Sequence, residues 1–123
     1  VAKRIKIIVS GVEVLAELND TETAGAIYKK LPIEAKGEFR GDEIFFGIGL
    51  AMDSEDPREL VQEGDLGYWP PGEAFCIFYG PTPTSREGEI RPYSPVNIIG
   101  KVLGDPKVFK TVKDASKVRI EKA

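Results

Sequence analysis

Apolar and polar residues alternate from the start of the chain. Ile5, Ile7 and Val9 share one face, Ser10-Gly11 turns the chain, and Val12, Val14, Ala16 and Leu18 alternate with Glu13 and Glu17. A period of two is the signature of a strand, so these eighteen residues predict a β-hairpin. The period then changes. Asp20 is a suitable N-cap, and Ala24, Ile27, Tyr28 and Leu31 follow at i, i+3, i+4 and i+7. This predicts an amphipathic helix of about three turns over 21–31, closed by Pro32, because proline disfavours helical geometry in the residue before it.

Alternation returns with Ile33, Ala35, Gly37 and Phe39, and Arg40-Gly41-Asp42 turns into a further strand over 43–48. Residues 49–64 carry no clear period; Ser54-Glu55-Asp56-Pro57 either opens a short helix or sits in an excursion between strands. Strands are predicted at 65–69, in the apolar run 74–79 after the turn Pro70-Pro71-Gly72, at 96–102, and at 118–121. A loop rich in Pro, Thr and Gly spans 80–95, and Asp105-Pro106 opens a short helical segment. Many short strands with one strong helical pattern and no repeat predict a single mainly-β domain over 1–123. The expected architecture is a closed β-barrel with one amphipathic helix, which covers an open end, and a short second helical segment.

Composition narrows the chemistry. The 123 residues carry 17 Lys+Arg and 20 Asp+Glu, a net charge of −3. This argues against a nucleic-acid partner, which clustered basic residues would bind. Apolar runs fall short of the ~20 residues of a membrane span, and 1–9 has neither a signal-peptide core nor a cleavage site. One cysteine permits no internal disulfide, so a cytoplasmic location is expected. Few Asn, Gln, Cys and Met beside 30% charged residues hint at a thermophile. Histidine is absent, which removes the commonest metal ligand and any Ser-His or Cys-His nucleophile pair; neither metal nor cofactor is expected.

Three pieces, in order, resemble cyclophilins. They are the hairpin with the helix opening Asp20-Thr21-Glu22-Thr23-Ala24; Gly72-Glu73-Ala74-Phe75-Cys76-Ile77, similar to the family's Gly-Ser-Gln-Phe-Phe-Ile strand; and Val96-Asn97-Ile98-Ile99-Gly100-Lys101-Val102, similar to the strand ending Phe-Gly-Lys-Val. Gly41-Asp42-Glu43-Ile44-Phe45-Phe46, Tyr68-Trp69-Pro70-Pro71-Gly72 and Cys76-Ile77-Phe78-Tyr79-Gly80-Pro81-Thr82-Pro83 resemble more closely a small prokaryotic branch of cyclophilin-like proteins, long labelled a domain of unknown function.

The resemblance implies a ligand groove on the outside of the barrel. It assigns Trp69, Ala74 and Cys76 to that groove. Strand alternation adds Phe78, Glu43, Phe45 and Gly47, and leaves Phe75, Ile77 and Tyr79 for the core. Gly47 falls where the family has the arginine that hydrogen-bonds the prolyl nitrogen in the twisted transition state, and the family's Gln-Gly-Gly-Asp piece is missing. Arg91, in the loop matching the groove's far wall, is the candidate replacement. Thr82 is expected at the groove rim.

Plainer readings accompany these. A cysteine in an apolar strand is ordinarily an inert small hydrophobe. Asp42-Glu43 is ordinarily a solvated turn, but Glu43 on the groove face would have a raised pKa and become an acid–base candidate. Arg40-Gly41-Asp42 reads as a turn. Three functions stay open: a module binding a peptide, proline-containing ones included, or a small ligand, with weak or absent isomerase activity; a prolyl isomerase using Arg91; and, by resemblance, a carboxylate- or amide-binding subunit of an amide-hydrolysing enzyme.

Overall fold

The computed structural model describes residues 3–123. Val1 and Ala2, with which the expected domain begins, lie outside the described residues. The strands are β1 (Lys3–Val9), β2 (Val12–Leu18), β3 (Ile33–Ala35), β4 (Glu38–Phe39), β5 (Glu43–Gly47), β6 (Asp65–Trp69), β7 (Ala74–Phe78), β8 (Asn97–Val102) and β9 (Val118–Lys122). They form one curled sheet in the order β3-β9-β1-β2-β8-β6-β7-β5-β4. The described pairings are antiparallel, and Val9 meets Val12 across the predicted first turn.

The sheet is an open half-barrel, which corrects the expected closed barrel. Its edges, β3 and β4, do not pair with each other; the chain itself joins them through Lys36 and Gly37. The sequence pattern reads 33–39 as one strand, and the break has a local cause. The Gly37 amide donates to the Ala115 carbonyl at 2.8 Å, and a Cβ on Gly37 would stand 2.7 Å from that oxygen. Only glycine permits the approach, and it diverts the backbone out of the ladder.

The single described α-helix, α1 (Glu22–Lys30), presents Ala24 and Ile27 to the core. Its N-cap is Thr21 rather than Asp20: the Thr21 hydroxyl accepts from the Ala24 amide at 3.2 Å. Glu55 adds a cap from outside the helix, its carboxylate accepting from the Glu22 and Thr23 amides at 3.0 and 2.9 Å. Those bonds hold the Glu55 carboxyl below its ordinary range. Buried Asn97 completes the junction. It accepts from the Glu55 amide and donates to the Thr23 hydroxyl and the Asp53 carbonyl. Residues 49–64 are therefore an excursion pinned to the helix start, not a helix. A 3-10 segment, Pro106–Thr111, follows its Asp105 cap as the sequence suggests.

Two cores result. The inner one is built from the inward residues of β1, β2, β5–β9 and α1, including Phe46 stacked on Phe75 with ring centroids 5.3 Å apart. The outer one, Val61, Ala74, Cys76, Phe78 and Val96, lies on the other face of the sheet beneath the segments around 58–61 and 90–96. A Cβ on Gly67 would stand 3.1 Å from both Phe78 and Val96, so glycine lets this cover sit directly on the sheet. Every residue of β7 is buried, which explains why 74–79 reads as one apolar run rather than an alternation. Among the described residues no helix is long and apolar enough to cross a membrane.

Candidate functional site

Phe45 and Trp69 pack at the margin of the outer core, and beside them lies a cavity of about 350 Å³ lined by Arg40, Glu43, Phe45, Trp69, Cys76, Pro92, Tyr93 and Val96. Its floor follows from register. Phe45 of β5 pairs with Cys76 of β7, Glu43 with Phe78, and Trp69 of β6 with Ala74. Residues two apart on a strand share a face, so Glu43 and Phe45 project to the same side. The wall is the loop 90–96. The Trp69 indole N–H donates to the Ser94 hydroxyl at 2.6 Å, and the Tyr93 ring meets the Trp69 ring edge-on with centroids 5.8 Å apart.

One end of the cavity is charged. Glu43 is only 5% exposed, and its Oε1 lies 3.3 Å from Arg40 Nη1. The second guanidinium nitrogen, Nη2, donates to the Thr84 hydroxyl at 2.8 Å, and the guanidinium lies over the Tyr93 ring, 5.4 Å from its centroid. Burial pushes the Glu43 carboxyl up from its ordinary range, against the lowering pull of the Cys76 thiol and Arg40. The Cys76 thiol goes well up, chiefly by burial and further by the nearby Glu43 charge.

The raised carboxyl has a consequence for stability. An acid whose folded pKa exceeds its unfolded value of about 4.5 favours folding fully below that value. The contribution is lost as pH rises through the folded pKa. Glu43→Gln should therefore become progressively more favourable, relative to the wild type, as pH rises through that window. Urea melts of both proteins across the window check this. A constant stability difference would contradict the burial cost at Glu43.

Of the residues singled out in the sequence, the structure gathers Glu43, Phe45, Trp69 and Cys76 in the cavity. Ala74 and Phe78 lie on the same face, but the loop cover buries them. Gly47 is exposed at the end of β5. Thr82 is buried inside its own loop rather than at the rim, its hydroxyl donating to the Arg91 carbonyl. The Arg91 side chain is not part of the lining: its Nε donates to Glu89 at 2.8 Å. Sequence reasoning missed Arg40, Pro92, Tyr93 and Val96. The available signal for Arg40 was its place three residues before a groove-facing Glu43.

A family model described as cyclophilin-like matches residues 3–121, and the chain belongs to that family. It is similar to the solution structure of a hypothetical protein from Archaeoglobus fulgidus, at 37% identity with a TM-score of 0.83, covering 100% of this chain and 96% of that one. No curated protein matches. The family defines the fold, and function has to be argued from the cavity.

Proposed function

We propose that this domain is a binding module whose cavity takes one ring-sized apolar group, from a peptide or a small molecule, without efficient prolyl isomerisation. The observation behind this reading is the cavity of about 350 Å³ floored by Phe45, Trp69 and Cys76 and walled by Pro92, Tyr93 and Val96. That volume falls at the small end of ligand sites, which combine apolar walls with a few polar groups. Arg91, engaged by Glu89, favours this reading over an isomerase that uses Arg91. The charged pair at one end favours a ligand with a polar group over a purely apolar one.

Trp69 is the only tryptophan, so its fluorescence reports on this cavity alone. Titration with proline-containing peptides and with small aromatic ligands should give a saturable change with at least one of the two sets. Phe45→Ala should weaken it by roughly tenfold or more, as loss of a buried aromatic anchor does. If Trp69 stays silent to both sets, the module reading fails.

A further inference from the structure

The apolar walls of the cavity leave ligand discrimination to very few atoms. The Trp69 N–H is committed to Ser94, and the buried Cys76 thiol donates weakly to the Ala74 carbonyl at 3.9 Å. Phe45, Pro92 and Val96 have no side-chain polar atoms, and Tyr93 is 70% exposed. What remains is the Arg40–Glu43 pair. The carboxylate has room for about four hydrogen bonds, and the described one comes from Arg40. The guanidinium has five N–H groups, and the described bonds go to Glu43 and Thr84. The pair thus offers an acceptor and a donor side by side while remaining neutral overall.

We infer that this pair selects a neutral amide or lactam carried on an apolar ring, the ligand N–H donating to Glu43 and its carbonyl accepting from Arg40. The inference rests on the module reading and adds the ligand's polar group to it. A carboxylate in the same place meets Arg40 but is repelled by Glu43. An ammonium meets Glu43 but is repelled by Arg40. Either ion also loses its hydration against apolar walls, a cost that a neutral amide with both partners escapes. The 5% exposure of Glu43 makes this discrimination stronger than a surface ion pair could provide.

Four probes with one ring and different heads test this: benzamide, benzoate, benzylammonium and anisole, each titrated at pH 7.5 with the Trp69 indole N–H resonance as the readout. Benzamide should bind at least tenfold more tightly than benzoate or benzylammonium, with anisole between. Glu43→Gln leaves the Arg40 charge unmatched, so benzoate should gain at least tenfold and overtake benzamide. Should that variant not fold, the wild-type ranking decides alone. Benzoate or benzylammonium binding the wild type as tightly as benzamide overturns the inference while the module reading survives. No response to any of the four overturns the inference, and silence to the proline-containing peptides as well overturns both. N-acetyl-prolinamide carries the same amide on a prolyl ring. Tighter binding than benzamide assigns the ligand to a peptide, weaker binding to a free small molecule, and the amide assignment holds either way.

Discussion

Native protein should react with a small thiol reagent such as iodoacetamide at least ~100-fold more slowly at pH 7.5 than protein unfolded in guanidinium chloride. Cys76 is 2% exposed, and the Glu43 carboxylate stands near its thiol. The thiolate is the reactive form, and an ordinary thiol with pKa ~8.5 is about one-tenth ionised at this pH. Burial and the Glu43 charge both push Cys76 well above that, and each unit costs about another tenfold in thiolate. Access adds a second factor, since a buried sulfur reacts through local opening. The native rate should still be climbing with pH where an ordinary thiol has levelled off. Glu43→Gln removes the repelling carboxylate and should accelerate labelling in the folded state. Fast native labelling with a midpoint below ~8.5 would end the inert reading of Cys76 and reopen covalent chemistry in this cavity.

The residues behind that expectation were legible in the sequence through the family resemblance combined with strand periodicity, which is local. Once the family resemblance sets Cys76 and the Gly47 position on the groove, strand parity adds Phe45, and the structure pairs Phe45 with Cys76 directly. Arg40 was not legible in the same way. It stands in a turn, and what fixes its guanidinium is Glu43 together with Thr84, 44 residues away. Tyr93 lies in an aperiodic loop, and only the folded chain shows its ring against Trp69 and beneath Arg40. Arg91 illustrates the converse. A loop arginine near a groove invites a functional reading, but Glu89, two residues away, is its immediate partner.

Barrel closure was misread for a related reason. Alternation through 33–39 records which way side chains point, and it does not record whether backbone groups pair. Gly37 breaks the ladder there through a contact with Ala115 that has no sequence period. Residues 49–64 were opaque because polar side chains fix them. Glu55 and Asn97 tie the excursion to the start of α1, and such bonds leave no periodic trace.

Prolyl isomerisation by the unmodified protein should be close to background in a protease-coupled assay, and Gly47→Arg should raise it at least tenfold. Twisting a prolyl amide crosses a barrier of ~18–20 kcal/mol, and a donor aimed at the twisted form lowers it. Losing one preorganised donor of this kind typically costs about 2.7–4 kcal/mol, or two to three orders of magnitude in rate, which sets the ceiling for the gain. The backbone at Gly47 accepts a side chain: an added Cβ would have the Gly72 carbonyl oxygen at 3.8 Å as its nearest neighbour, ordinary contact. Its parity directs that side chain to the face that carries Phe45. Glu43 stands four residues back, about 13 Å along the strand at ~3.3 Å per residue, too far to neutralise the new guanidinium. Arg40 does not stand in for it, because its bonds to Glu43 and Thr84 place it at the other end of the cavity from Gly47. Arg91→Ala should leave the rate unchanged, because that side chain is engaged by Glu89 outside the lining. Robust wild-type activity that collapses in Arg91→Ala would reverse this account, since Arg91 would then have to leave Glu89 and reach the substrate. Robust activity lost in Arg40→Met would instead identify the Arg40–Glu43 end of the cavity as the catalytic one.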